Sequence, residues 1–135
     1  MASDDELLEL LRGTFESARA GDVTRLTDLL AAGVPVNLTN DHGDTLLILT
    51  VYHCHPGAAR LLIDGGADVH RVNDNGQTAL GAAVFRSEPG LVEMLLGAGA
   101  DPDGGVRSAR MIADFFNLAE IRAMLPPTPS AGARP

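Results

Sequence analysis

The sequence predicts an all-α solenoid of four stacked helix-turn-helix units with short projecting turns. First, Gly33, Gly66 and Gly99 recur every 33 residues, each behind an apolar run: Leu29-Leu30, Leu62-Ile63 and Leu95-Leu96. Second, other positions keep that spacing: Gly43 and Gly76, Thr45 and Thr78, Leu47 and Leu80, Ala67 and Ala100, Asp68 and Asp101. A repeat of this length is one supersecondary unit, which buries its apolar face only against its neighbours. Third, 135 residues with 45% hydrophobic side chains can enclose a core, and a single cysteine cannot form an internal disulfide.

The elements follow in chain order. Ser3 and Glu6 are spaced as a capping box ahead of Leu7, Leu8, Leu10 and Leu11. This predicts an additional N-terminal capping helix in residues 1–11 that shields the first unit. The first unit, residues 12–40, keeps Ala18, Gly21-Asp22, Leu29-Leu30 and Gly33 but has no threonine at its start. In the second, residues 41–73, DHGD forms a tight turn, Thr45 caps one helix and Pro56 opens the next, where a missing N–H costs nothing. Gly66 ends that helix, where the chain must turn through a left-handed conformation. The third unit, residues 74–103, repeats the scheme with DNGQ and Thr78. The fourth, residues 104–125, begins its helix at Ser108, 30 residues after Thr78 rather than 33, so its hairpin is shortened. Residues 126–135, PPTPSAGARP, have four prolines and no apolar period, and are expected to be a disordered tail.

The third unit, DNGQTALGAAVFRSEPGLVEMLLGAGAD, resembles the ankyrin repeat family at Gly76, Thr78, Leu80, Ala83, Leu95, Leu96 and Gly99-Ala100-Asp101. The second resembles it equally well. Two departures recur. Leu46, Ala79 and Ala109 stand where the family has proline, and Cys54, Ser87 and Asn117 where it has the glycine between helices. A non-glycine there costs up to about 1 kcal/mol if the left-handed geometry persists.

The ankyrin resemblance implies a non-catalytic module without a cofactor that binds another protein through a concave surface of turn tips and first-helix ends. It places Tyr52 and His53, Phe85 and Arg86, and Phe115 and Phe116 at equivalent variable positions, with Arg19 and Ala20 before them. Exposed aromatics and arginines are common hot-spot residues. The turn tips add Asp41, His42, Asp44, Asp74, Asn75 and Gln77, a mostly acidic edge suited to a partner with a basic and apolar patch.

Charge and hydropathy narrow the classes. Ten arginines and no lysines face eighteen acidic residues, for a formal net charge of -8, so phosphate backbones would be repelled and no nucleic-acid partner is expected. No run of about 18 apolar residues occurs and no basic region precedes an apolar one, so a cytoplasmic protein without a membrane association is expected. Capped repeat arrays close their own ends, and a monomer is expected.

The stretch VYHCHPG, residues 51–57, sets His53, Cys54 and His55 side by side. The alternative function is a metal-binding or thiol-dependent protein built on these three. Zinc requires three or four converging ligands, and residues two apart do not share a helix face, although His42 and His70 could complete a set with His53. A cysteine nucleophile requires an oriented base and oxyanion donors, which the pattern does not place. The repeat register instead gives His55 a hydrogen bond to neighbouring loop backbone and leaves Cys54 partly exposed. Asp101 and Asp103 in GAGADPDGG lack the glutamate of a calcium loop, and no metal is expected there.

Overall fold

The computed structural model describes residues 3–127. Among the described residues eight helices alternate between two layers: α1 (Asp4–Ala20), α2 (Val23–Ala31), α3 (Leu46–Tyr52), α4 (Pro56–Asp64), α5 (Ala79–Phe85), α6 (Pro89–Gly97), α7 (Ala109–Phe115) and α8 (Ala119–Met124). The odd-numbered helices stack α1 on α3, α3 on α5 and α5 on α7, and the even-numbered ones stack α2 on α4, α4 on α6 and α6 on α8. The inner layer is the core. In α3 the residues from Leu46 to Val51 are all buried, as are those from Ala79 to Val84 in α5. The outer helices bury one stripe each, Leu26 and Leu29, then Ala58, Ala59 and Leu62, then Leu91, Val92 and Leu95. Each fully buried leucine contributes about 1.5–3 kcal/mol through area removed from water.

The helix ends explain the short, regular units. Thr45 accepts a hydrogen bond from the Ile48 N–H at 3.0 Å, Thr78 from Gly81 at 3.1 Å and Ser108 from Met111 at 3.2 Å. Pro56 and Pro89 occupy the first turns of α4 and α6. At the other end of α4, Gly66 has φ +94°, its N–H donates to the Ile63 carbonyl, and the Ala67 N–H reaches back to Leu62. That pair of bonds satisfies the last carbonyls of the helix. The same pattern closes α3 through Cys54, α5 through Ser87 and α7 through Asn117, whose φ values are 62°, 53° and 55°. The left-handed geometry therefore persists without glycine.

The N-terminus differs from the expectation. Ser3 does cap, accepting from the Glu6 N–H at 3.2 Å, but the helix it starts runs without a break to Ala20. The separate capping helix and the first helix of unit one are a single element. Burial begins at Gly13, the register equivalent of Leu46, while Leu7, Leu8 and Leu10 are exposed. The physical reason is that unit one has no hairpin before its first helix, so nothing interrupts the helical run. The tail expectation lies mostly outside the described residues, in 128–135; Pro126 and Pro127 carry no regular structure.

Candidate functional site

Turns between units project as fingers, and asparagine builds them. Asn40 Oδ1 accepts from the His42 and Asp44 N–H groups at 2.9 and 3.0 Å. Asn73 Oδ1 does the same for Asn75 and Gln77 at 3.0 and 2.9 Å. Adjacent fingers are braced, since the Asp74 N–H donates to the His42 carbonyl and Asn73 Nδ2 donates to Asp44 Oδ1 at 2.9 Å. Asp44 is thus half-buried and occupied by the fold, whereas Asp41, His42, Asp74 and Asn75 are exposed at the tips.

The shortened fourth unit ends this pattern. Arg107 stands directly before the cap Ser108, where Asp44 and Gln77 precede theirs, and its N–H donates to the Gly76 carbonyl at 3.0 Å. No asparagine follows to brace Gln77. Gln77 and Arg107, together with Asn75, line one wall of a cleft of about 560 Å³.

Aromatic side chains form most of the rest of that cleft, with Met111 and Ile112 beside them. The Tyr52 and Phe85 rings stack with centroids 6.3 Å apart and planes 10° from parallel. Phe85 meets Phe116 edge-on at 5.8 Å, and Phe116 meets Phe115 at 5.0 Å. The row continues through Phe116, not through Phe115, the register equivalent of Tyr52 and Phe85. Tyr52, Phe85 and Phe116 are 38%, 44% and 51% exposed, and Phe115 is 82% exposed. These rings pack on each other and still present a wet face. Aromatic pairs of this geometry contribute about 0.5–1.5 kcal/mol beyond burial.

Charge at the cleft is opposite to that at the finger tips. The Arg86 guanidinium lies 5.4 Å from the Tyr52 ring centroid, a cation–π contact. Hydrogen bonding to the Cys54 side chain is the main influence holding its pKa above the usual range. Arg86 and Arg107 enter none of the ion pairs among the described residues, which engage Arg12, Arg60, Arg71, Arg110 and Arg122.

His53, Cys54 and His55 are divided among different tasks. His55 Nε2–H donates to the Arg19 carbonyl at 2.7 Å, tying unit two to unit one. Gly21 makes room for it, since a Cβ there would lie 2.4 Å from the imidazole ring. His53 is exposed beside Tyr52, with its pKa lowered first by burial and then by His55, Arg19 and Arg86. Cys54 is a half-buried free thiol. No group of three or more His, Cys, Asp or Glu side chains among the described residues is placed to hold a metal ion. Asp103 is bound by Arg110, Nε to Oδ1 at 2.8 Å. No helix among the described residues is long and apolar enough to cross a membrane.

Comparison with known proteins fits this geometry. The family model for ankyrin repeats, in three copies, matches residues 15–104. The pair α7 and α8 lies beyond the matched residues and extends the stack. A curated Pseudomonas aeruginosa protein described as an ankyrin repeat protein is 45% identical over 58 residues, 43% of this chain and 34% of that protein. The match therefore spans about a third of that relative's length.

Proposed function

This chain belongs to the ankyrin repeat family, and on that premise we propose that it is a non-catalytic module that binds a partner protein through the aromatic cleft and the neighbouring finger tips, as an adaptor, inhibitor or scaffold. Ankyrin repeats are generally protein–protein interaction modules. The observation that carries the reading here is the half-exposed ladder of Tyr52, Phe85 and Phe116, with Phe115 almost wholly in solvent at its end. Large apolar groups presented together on a monomer's surface mark interaction sites. Tyr52, His53, Phe85, Arg86, Phe115 and Phe116 form the centre of the contact. Asp41, His42, Asp74, Asn75 and the cleft-facing Gln77 form its polar rim, and Asp44 supports that rim through Asn73. A partner with an apolar patch seats on the rings, and basic groups at its edge meet Asp41 and Asp74.

The test is affinity capture of a partner, followed by titration of Tyr52→Ala and Phe85→Ala against it alongside thermal melts. Each truncation should weaken binding by about 1–3 kcal/mol, as hot-spot truncations do. A photocrosslinker replacing Phe85 should couple to the partner, and one replacing Glu93 on the outer layer should not. Variants that bind normally while folded, or crosslinks confined to Glu93, reject the proposal.

A further inference from the structure

Two surfaces among the described residues are unpartnered, and their chemistries complement each other. The first is the free end of α1. By helical periodicity Leu7, Leu8, Leu10 and Leu11 share one side of it, and Asp5, Glu6 and Glu9 occupy the remainder. Leu7, Leu8 and Leu10 are exposed, and Arg12 neutralises only Glu9. The second is the aromatic cleft, lined by Arg107 and flanked by Arg86 over the Tyr52 ring, neither of which has a carboxylate partner among the described residues. A guanidinium fork is matched to carboxylates, and an apolar helix stripe is matched to an apolar groove.

The two cannot meet within one molecule. Gly13, Thr14, Ser17 and Ala18 are buried in the continuous α1, which packs on α2 and α3, whereas the cleft closes on α7 at the opposite end of the stack. We infer that the free end of α1 docks into the aromatic cleft of a second copy of this chain, leucines against the rings and acids toward Arg86 and Arg107. Such a contact is heterologous, because each copy offers a different surface to the next, so it builds open chains of molecules and leaves one free surface at each end. It goes beyond the partner-binding reading and makes self-association compete with a partner for the cleft. The expectation of a monomer rested on capped repeat ends, and the exposed Leu7, Leu8 and Leu10 at this end are what the inference sets against it.

Complementation between two variants tests this. Leu8→Asp and Phe115→Asp alter side chains that are 58% and 82% exposed, at opposite ends, so both should fold. In sedimentation velocity up to about 1 mM protein, where contacts too weak for millimolar dissociation constants stop being visible, the parent should show mass rising with concentration. Each variant alone should remain monomeric, its self-association weakened at least about tenfold. An equimolar mixture should regain association but stop at a one-to-one dimer, since only one competent pair of surfaces remains. Tyr52 is the only tyrosine and there is no tryptophan, so its emission should change in the mixture and report the cleft directly. Arg107→Gln should weaken the parent's association, and added salt should weaken it too. A parent that stays monomeric, variants that associate like the parent, or a mixture that does not dimerise overturns the inference. None of these results touches the crosslinking of a partner at Phe85, so either reading can fail alone.

Discussion

The left-handed residues between helices allow a stability prediction whose sign is unusual, because it concerns a mutation expected to stabilise. Ser87 has φ 53°, a conformation that costs an L-residue about 1–2 kcal/mol through the approach of Cβ to the carbonyl. Replacing it with glycine removes that cost and adds about 0.5–1 kcal/mol of extra freedom lost on folding. The difference leaves Ser87→Gly more stable by about 0.5–1 kcal/mol. Nothing else in the structure offsets it, since the Ser87 side chain is exposed and the backbone bond it helps form, from its N–H to the Val84 carbonyl at 2.9 Å, survives the change.

The other two sites serve as internal controls. Cys54→Gly should gain less, because it removes the side chain beside Arg86. Asn117→Gly should be nearly neutral, since asparagine tolerates this region through its short polar side chain. Urea unfolding followed by far-UV circular dichroism measures all three, with thermal melts expected to rise by roughly 2–4 °C for Ser87→Gly. A midpoint that falls or stays put for Ser87→Gly, or a larger gain at Asn117, refutes the strain argument.

Other perturbations separate strain from contact. Gly66→Ala and Gly105→Ala both force a Cβ onto positive φ, 94° and 80°, but at Gly66 the Cβ meets nothing within 4 Å while at Gly105 it lies 2.6 Å from the Gly76 carbonyl oxygen. Denaturation should show a loss of about 0.5–1 kcal/mol for the first, the reverse of the Ser87→Gly exchange, and about 1 kcal/mol more for the second, where the backbone bond from Arg107 to Gly76 is also broken. Thr45→Ala should cost about 1–2 kcal/mol in the same assay, because it leaves the Ile48 N–H unsatisfied inside the core. Burial and the neighbouring cations lower the His53 pKa from 6.5, so the unfolded chain binds its proton first as pH falls. Stability should therefore be lost as pH drops through about 6.5 in melts taken from pH 7.5 downward, and His53→Gln should flatten that slope.

Most of the fold was legible because one period carried it. Thr45, Pro56 and Gly66 each announce a backbone event that the structure contains, and their copies one period on do the same. Three features escaped. The continuity of α1 was hidden because Ser3 marks a helix start and Gly13 a weak point, while nothing in the sequence says that helical hydrogen bonding runs on past Leu11. The bracing of Asp44 was missed although Asn40 and Asn73 stand one period apart, because an exposed turn and a turn paired to its neighbour have the same local residues. Which phenylalanine completes the ladder depends on 100° of helix rotation at the end of α7, and a period alone does not fix that.

The three residues missing before Ser108 tie the candidate site to the repeat. The two full-length fingers are built on Asn40 and Asn73, and Asn73 also braces Asp44, the residue before the preceding cap. The short finger has no asparagine in that place, so the Gln77 side chain is not braced as Asp44 is, and Arg107 falls where the register puts an acid in unit two. The finger's backbone lies instead on Gly76, where its Arg107 N–H finds an acceptor and where Val106 leaves no room for a Cβ. The loss thus opens a cleft beside Phe85 and Phe116 and reverses the local charge in a chain that is acidic elsewhere. A break in the repeat, more than the repeat itself, sets the shape and charge of this surface. The irregular unit adds Arg107, Phe115 and Phe116 to the Tyr52, Phe85 and Arg86 that the two regular units supply.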